Sequence, residues 1–219
     1  MVELKRPEIE LSLEEKDAKL RSLIADYGDL IVAYSGGVDS TFLAGVAHDV
    51  LGKNALAVTS RSPSVAPEEL ESASALADER GWRHLIVDTD EMNDPRYLAN
   101  DGRRCFFCKT ELYTHLDKVA GDESIGLVAN GANTDDLGDY RPGMEAAKNF
   151  EVVSPLVESG MNKQDIRDLS KQMDLPTWDK PAQPCLSSRI PYGTMVSVDA
   201  LEKIGKAEKG LRDLGFGVV

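Results

Sequence analysis

The chain switches repeatedly between short apolar runs and longer stretches with helical periodicity. Residues 12–27 read as a helix that opens with Ser12 and Glu15 in the spacing of a capping box. Residues 30–34 form an apolar run rich in β-branched side chains, which stops at Ser35-Gly36-Gly37. An apolar helix follows over 41–51, a second strand over 55–59, and a helix over 67–80 closed by Gly81. Residues 85–87 supply a third strand core, 108–120 another helix, and 126–129 a fourth strand. Strands apolar on both faces and separated by helices predict an α/β fold, a parallel sheet with helices on both faces.

The texture changes after Gly143. Residues 152–157 read as one more strand, and Asn162 is placed to cap a helix reaching Met173. Residues 175–194 are proline-rich with little periodicity, and a loop of that length in a compact domain is usually functional. An amphipathic helix spans 198–214, and 216–219 read as the start of a strand, so more chain is expected to follow. We therefore expect one domain over 1–150 and a smaller C-terminal region over 151–219.

Composition narrows the class. Apolar residues at 42% and charged residues at 29% suit a globular domain, and no apolar run approaches the ~18 residues of a membrane span. The polar start lacks an apolar signal core, which predicts a cytoplasmic protein with no membrane partner. With 25 basic and 38 acidic residues the net charge is −13, which repels polyanions and argues against a nucleic-acid partner. Three cysteines without a secretory signal point to metal, cluster or redox chemistry rather than a disulfide framework.

Ser35-Gly36-Gly37-Val38-Asp39-Ser40-Thr41 follows the first strand and opens a helix. Two glycines let the backbone turn tightly and approach a ligand, and the free amides of a helix start attract an anion. The segment lacks the Gly-Lys-Ser/Thr ending of a Walker A loop, and no lysine adjoins it. It resembles the SGGxDS loop of N-type ATP pyrophosphatases, the PP-loop enzymes, which cleave ATP between the α and β phosphates. On that resemblance Ser35, Gly36, Gly37 and Ser40 hold phosphate and Asp39 holds Mg²⁺. Gly131-Ala132-Asn133-Thr134-Asp135-Asp136 follows the fourth strand, on the same carboxyl edge of a parallel sheet. The resemblance puts Gly131, Asn133 and Asp136 beside nucleotide and metal, and Thr59 and Ser60 beside adenosine.

Cys105-Phe106-Phe107-Cys108 opens a helix, and Cys185 lies in the proline-rich loop. Three thiolates can hold a cubane cluster and leave one iron free, whereas structural zinc wants four protein ligands. His115 is two helical turns from Cys108, and His48 and His84 read as helix and strand residues. The alternative is three unrelated cysteines, with Cys185 a small apolar residue.

The segments 104–113, Gly138-Asp139-Tyr140-Arg141-Pro142-Gly143, Trp178-Asp179-Lys180-Pro181 and 185–193 resemble the LarE family of ATP-dependent sulfur transferases. The likeness runs over most of the chain and implies a PP-loop, adenine nucleotide alpha hydrolase-like fold. It also implies adenylation of a carboxylate of a pyridinium mononucleotide and insertion of sulfur, in biosynthesis of the nickel-pincer nucleotide cofactor. One branch of the family sacrifices the sulfur of a single cysteine, at the position of Cys185, and leaves dehydroalanine. The other has three cysteines holding a 4Fe–4S cluster, and Cys105, Cys108 and Cys185 match that branch. ATP, Mg²⁺, a cluster, a sulfide or other sulfur donor, and a homo-oligomer follow from the resemblance.

A substrate with two carboxylates and a phosphate needs local cations. Arg189 and Lys180, four and five residues from Cys185, are assigned to it, with Arg141 after the acidic loop. Trp178 either offers its face to the pyridinium ring or packs in the core. The rival functions are a three-cysteine tRNA thiolase, an ammonia-using synthetase, and a nucleotide-sensing module without catalysis.

Overall fold

The computed structural model describes residues 11–138 and 142–216. Its first half alternates as expected: α1 (Leu13–Tyr27), β1 (Leu30–Ala33), α2 (Val38–Leu51), β2 (Ala55–Arg61), α3 (Pro67–Glu79) and β3 (His84–Asp88). After these come α4 (Pro95–Leu98), α5 (Arg104–Glu123), β4 (Val128–Ala129), α6 (Pro142–Asn149), α7 (Pro155–Glu158), α8 (Lys163–Gln172) and α9 (Val198–Asp213). The strands form one parallel sheet in the order β3-β2-β1-β4. The chain winds outward from β1 through β2 to β3, then returns to place β4 on the other side of β1. The order reverses between β1 and β4, and ligands of open α/β sheets bind at the carboxyl ends beside such a point.

Two cores follow from strand alternation. Leu30 and Val32 of β1 and Ala55 and Ala57 of β2 face one side, packing with Leu20 and Ile24 of α1, Phe42 and Val46 of α2, and Ile166 and Leu169 of α8. Ile31, Leu56 and Val58 face the other, against Leu112 and Leu116 of α5 and Ala146 and Ala147 of α6. The first core also takes in Leu156, Met161 and Leu175. Cover thins at the edge strand, where Leu85 and Ile86 are each 39% exposed. The expectation of strands sheathed on both faces therefore stops short of β3.

Residues 152–157 do not form a strand. One parallel bridge joins Val153 to Ala129, and the chain then turns into α7. Pro155 has no N–H for a ladder but suits a first helical turn, and it occupies that position. The Ser12–Glu15 capping box forms, and Asn162 caps α8 in a box of its own with Asp165. Asp165 also accepts from the nearly buried Lys16 at 2.7 Å, which pins α8 to α1.

Candidate functional site

The phosphate loop sits at the carboxyl end of β1, and its conformation demands its glycines. Gly36 has φ +73°, and a Cβ there would lie 2.9 Å from the Ala73 Cβ. Gly37 is the N-cap of α2 and offers no side chain to the first-turn amides, which leaves them for an anion. Ser40 Oγ accepts from the Ser35 amide at 3.1 Å and lies 3.0 Å from Ser35 Oγ, which closes the loop on itself. From across the sheet reversal Gly131 presses against this turn. A Cβ on Gly131 would stand 2.9 Å from the Ser40 nitrogen.

Asp39, in the first turn of α2, receives two donors from later in the chain. Asn133 Nδ2 donates to its Oδ1 at 3.3 Å, and Lys163 Nζ to its Oδ2 at 2.6 Å. Asn133 and Asp136 form a reciprocal cap: the Asn133 amide donates to Asp136 Oδ2, and the Asp135 amide to Asn133 Oδ1. A second lysine approaches from another side. Lys180 Nζ donates to the Gly36 carbonyl at 3.1 Å and pairs with Glu69 at 2.5 Å. Sequence proximity assigned Lys180 to the Cys185 neighbourhood, whereas its ammonium lies on the phosphate loop. Arg167 shapes that approach by donating to the Trp178 and Lys180 carbonyls. The Trp178 ring is covered by Lys171, whose Nζ lies 4.6 Å from the ring centroid.

Beside the loop, Ala33, Ser35, Thr59, Ser60 and Lys109 line a small cavity at the ends of β1 and β2. Thr59 is buried with Oγ1 2.8 Å from His84 Nε2, so that its hydroxyl already has a partner. Lys109 comes from α5, one residue after Cys108. The helix carrying the cysteine pair thus also walls the cavity.

Cys105 and Cys108 stand one turn apart at the start of α5, and Cys185 precedes a 3-10 turn over Leu186–Arg189. Cys105 and Cys185 are exposed, and Cys108 is half-buried. Burial pushes the Cys108 thiol up to about 12, the nearby Lys109 opposing and Glu91, Cys185 and Cys105 adding to the rise. Cys105 and Cys185 thus both bear on the Cys108 thiol. Among the described residues, no three His, Cys, Asp or Glu side chains converge on a single ion. Arg189 donates to Glu208 of α9 and to the Pro184 carbonyl, which ties the Cys185 loop to that helix. Arg141 lies outside the described residues.

A buried polar clamp ties the segment after Cys185 to the start of α5. Tyr97 OH is 2.6 Å from Ser187 Oγ, and Asn100 Nδ2 donates to the Pro191 and Thr194 carbonyls at 2.9 and 2.8 Å. Arg104, the first residue of α5, donates to Asn100 Oδ1 at 2.6 Å and to the Ser187 carbonyl at 2.8 Å. Asn100 is fully buried and holds φ +51°, a conformation asparagine tolerates. Sequence reading did not find Lys163, Tyr97 or Asn100, because their partners lie 90 or more residues away. Asn100→Ala removes one of the two acceptors of Arg104 and the side-chain donor to the Pro191 and Thr194 carbonyls, at ~1–3 kcal/mol for each buried group left unsatisfied. We expect a clear drop in thermal midpoint and slower bridging of Cys105 to Cys185 by a bifunctional thiol reagent, with ATP affinity far less affected. Unchanged bridging would show that the clamp does not set the thiol spacing.

Comparison with known proteins agrees with this geometry. Residues 13–97 match the NAD synthase family. A protein of Synechocystis sp. is 50% identical over 207 residues, covering 94% of this chain and 77% of the relative. The pyridinium-3,5-bisthiocarboxylic acid mononucleotide synthase of Lactiplantibacillus plantarum is 35% identical over 209 residues, covering 95% of this chain and 76% of its own length. The chain belongs to the LarE family. It is an ATP-using enzyme of the PP-loop type, with a parallel α/β fold. The tRNA-specific 2-thiouridylase MnmA of Rickettsia felis is more distant, 24% identical over 217 residues, 83% of this chain and 59% of that protein. No helix among the described residues is long and apolar enough to cross a membrane.

Proposed function

We propose that this enzyme adenylates a carboxylate of pyridinium-3,5-biscarboxylic acid mononucleotide and replaces it with a thiocarboxylate, in nickel-pincer nucleotide cofactor biosynthesis. The observation that carries this reading is α5, which brings Cys105 and Cys108 to the sulfur side and Lys109 to the wall of the cavity at the phosphate loop. Residues 1–150 hold the nucleotide, and 151–219 add Lys163, Lys180 and Cys185 to it.

A carboxylate is a poor acyl donor because its leaving group is poor. Its oxygen attacks the α-phosphorus of ATP, the bond to the bridging oxygen breaks, and pyrophosphate leaves. The first-turn amides of α2, behind the Gly36-Gly37 turn, would meet the charge that builds on pyrophosphate. Asp39, beside Asn133 and Asp136, would hold Mg²⁺, which neutralises phosphate charge when bound. Thr59 and Ser60 border the adenosine, with Gly131 keeping the two loops close. Hydrosulfide then attacks the acyl carbon of the mixed anhydride, expels AMP and leaves the thiocarboxylate.

The donor set at Cys105, Cys108 and Cys185 fits a 4Fe–4S cluster. Cys105 and Cys108 stand one turn apart at the start of α5, both Cys105 and Cys185 bear on the Cys108 thiol, and thiolates are the usual ligands of such a cluster. Such a cluster would supply an exchangeable sulfide. Arg189 steadies the Cys185 loop, and Lys180 completes the phosphate loop. Arg141 is proposed for the anionic substrate. The net charge of −13 disfavours tRNA as the substrate.

The test is a mass balance. Protein given ATP, Mg²⁺, sulfide and the biscarboxylic mononucleotide should form AMP and pyrophosphate in equal amounts, with one oxygen-to-sulfur exchange per carboxylate converted. Amide formation from ammonia in place of that exchange would return the enzyme to an ammonia-using synthetase.

A further inference from the structure

Two lysines reach the phosphate loop, and their partners distinguish them. Lys180 Nζ is paired with Glu69 at 2.5 Å, a carboxylate of α3 with no role toward metal in the reading above. Lys163 Nζ is paired at 2.6 Å with Asp39, the carboxylate assigned to Mg²⁺. Lysine and a divalent cation compete for the same carboxylate charge, so a metal that takes Asp39 frees the Lys163 ammonium. Both side chains are partly open to solvent, at 33% for Lys163 and 25% for Asp39, which keeps the pair weak enough to exchange.

The backbone under Lys163 is held firmly. It is the first residue of α8, behind the Asn162–Asp165 capping box. Its own amide donates to Asp135 Oδ2 at 3.0 Å, and Thr134 binds the Met161 carbonyl through both its amide and its hydroxyl. The Lys16–Asp165 pair anchors the same turn to α1. A partner exchange at Lys163 therefore moves a side chain and not a helix.

We propose that Lys163 is the phosphate-binding lysine that the SGGxDS loop itself lacks. It holds Asp39 until Mg²⁺ claims that carboxylate, then pairs with the β and γ phosphates and with the pyrophosphate as it leaves. This rests on ATP binding at the phosphate loop, and it is independent of where the sulfur comes from.

The test uses the full chain and its Lys163→Met and Lys163→Arg variants, with four probes: Mn²⁺ alone, AMP, pyrophosphate with Mg²⁺, and ATP with Mg²⁺. Lys163→Met should bind ATP and pyrophosphate about tenfold more weakly, the loss of roughly one charge-assisted contact. AMP, which has neither the β nor the γ phosphate, should bind as in wild type. Mn²⁺ should bind several-fold more tightly to Lys163→Met, because its competitor for Asp39 is gone. Lys163→Arg should recover most of the pyrophosphate affinity. Equal weakening for AMP and pyrophosphate, or Mn²⁺ affinity that does not rise, overturns the exchange. Wild-type protein that binds no ATP overturns the nucleotide reading and this inference with it. Wild-type binding together with an unaffected Lys163→Met overturns Lys163 alone.

Discussion

Asp39→Ala should end release of AMP and pyrophosphate, with turnover falling about a thousandfold. A metal or fixed donor aimed at a transferring phosphoryl group supplies roughly 4 kcal/mol of transition-state stabilisation. Asp39 is the carboxylate that sits in the first turn of α2 with both oxygens held, by Asn133 and by Lys163. ATP affinity should fall far less than turnover, because the loop amides remain and Lys163 is left with no carboxylate partner at this position. The fold should survive, since Asp39 is partly exposed and its bonds are made to a loop and a flexible lysine. Single-turnover measurement of AMP, with ATP binding measured separately, checks both halves. AMP released at the wild-type rate would remove Asp39 from the metal site.

The parts of this site legible in the sequence are those encoded locally. The glycines and serines of residues 35–40 lie in one short segment, where Ser35 and Ser40 bond each other and Gly36 supplies the positive φ of the turn. The caps at Ser12 and Asn162 are likewise three-residue patterns. The start of α2 at Val38, ahead of residue 41, shows the limit, because Gly37 caps through backbone geometry without a hydrogen-bonding side chain. Residues 152–157 misled through their β-branched content, which Pro155 outweighs. Lys180 misled through proximity: five residues from Cys185 in the chain, it reaches Gly36, 144 residues away. Lys163 and Asn100 stand among ordinary polar residues, and only the folded chain gives them their partners.

The fate of Cys185 separates two sulfur sources that the same fold could serve. If the enzyme spends its own thiol, the sulfur leaves Cys185 after a Cβ–S bond breaks, a proton leaves Cα, and dehydroalanine remains. The protein becomes lighter by about 34 Da, the mass of H₂S, because the cysteine thiolate is the sulfur available to leave. Each chain then delivers no more than one sulfur. If Cys185 is instead a ligand beside Cys105 and Cys108, it survives, and sulfide from solution supports many turnovers. In the second case the pair at the start of α5 would work with Cys185, whose loop Tyr97, Asn100 and Arg104 tie to that helix start. We therefore expect unchanged intact mass after reaction with ATP, substrate and excess sulfide. We also expect about four irons per chain in anaerobically prepared protein, with most of that iron lost in each of Cys105→Ala, Cys108→Ala and Cys185→Ala. A lighter protein that delivers one sulfur per chain, with iron retained in Cys105→Ala, would make Cys185 a consumed reagent and leave the clamp holding it only for attack.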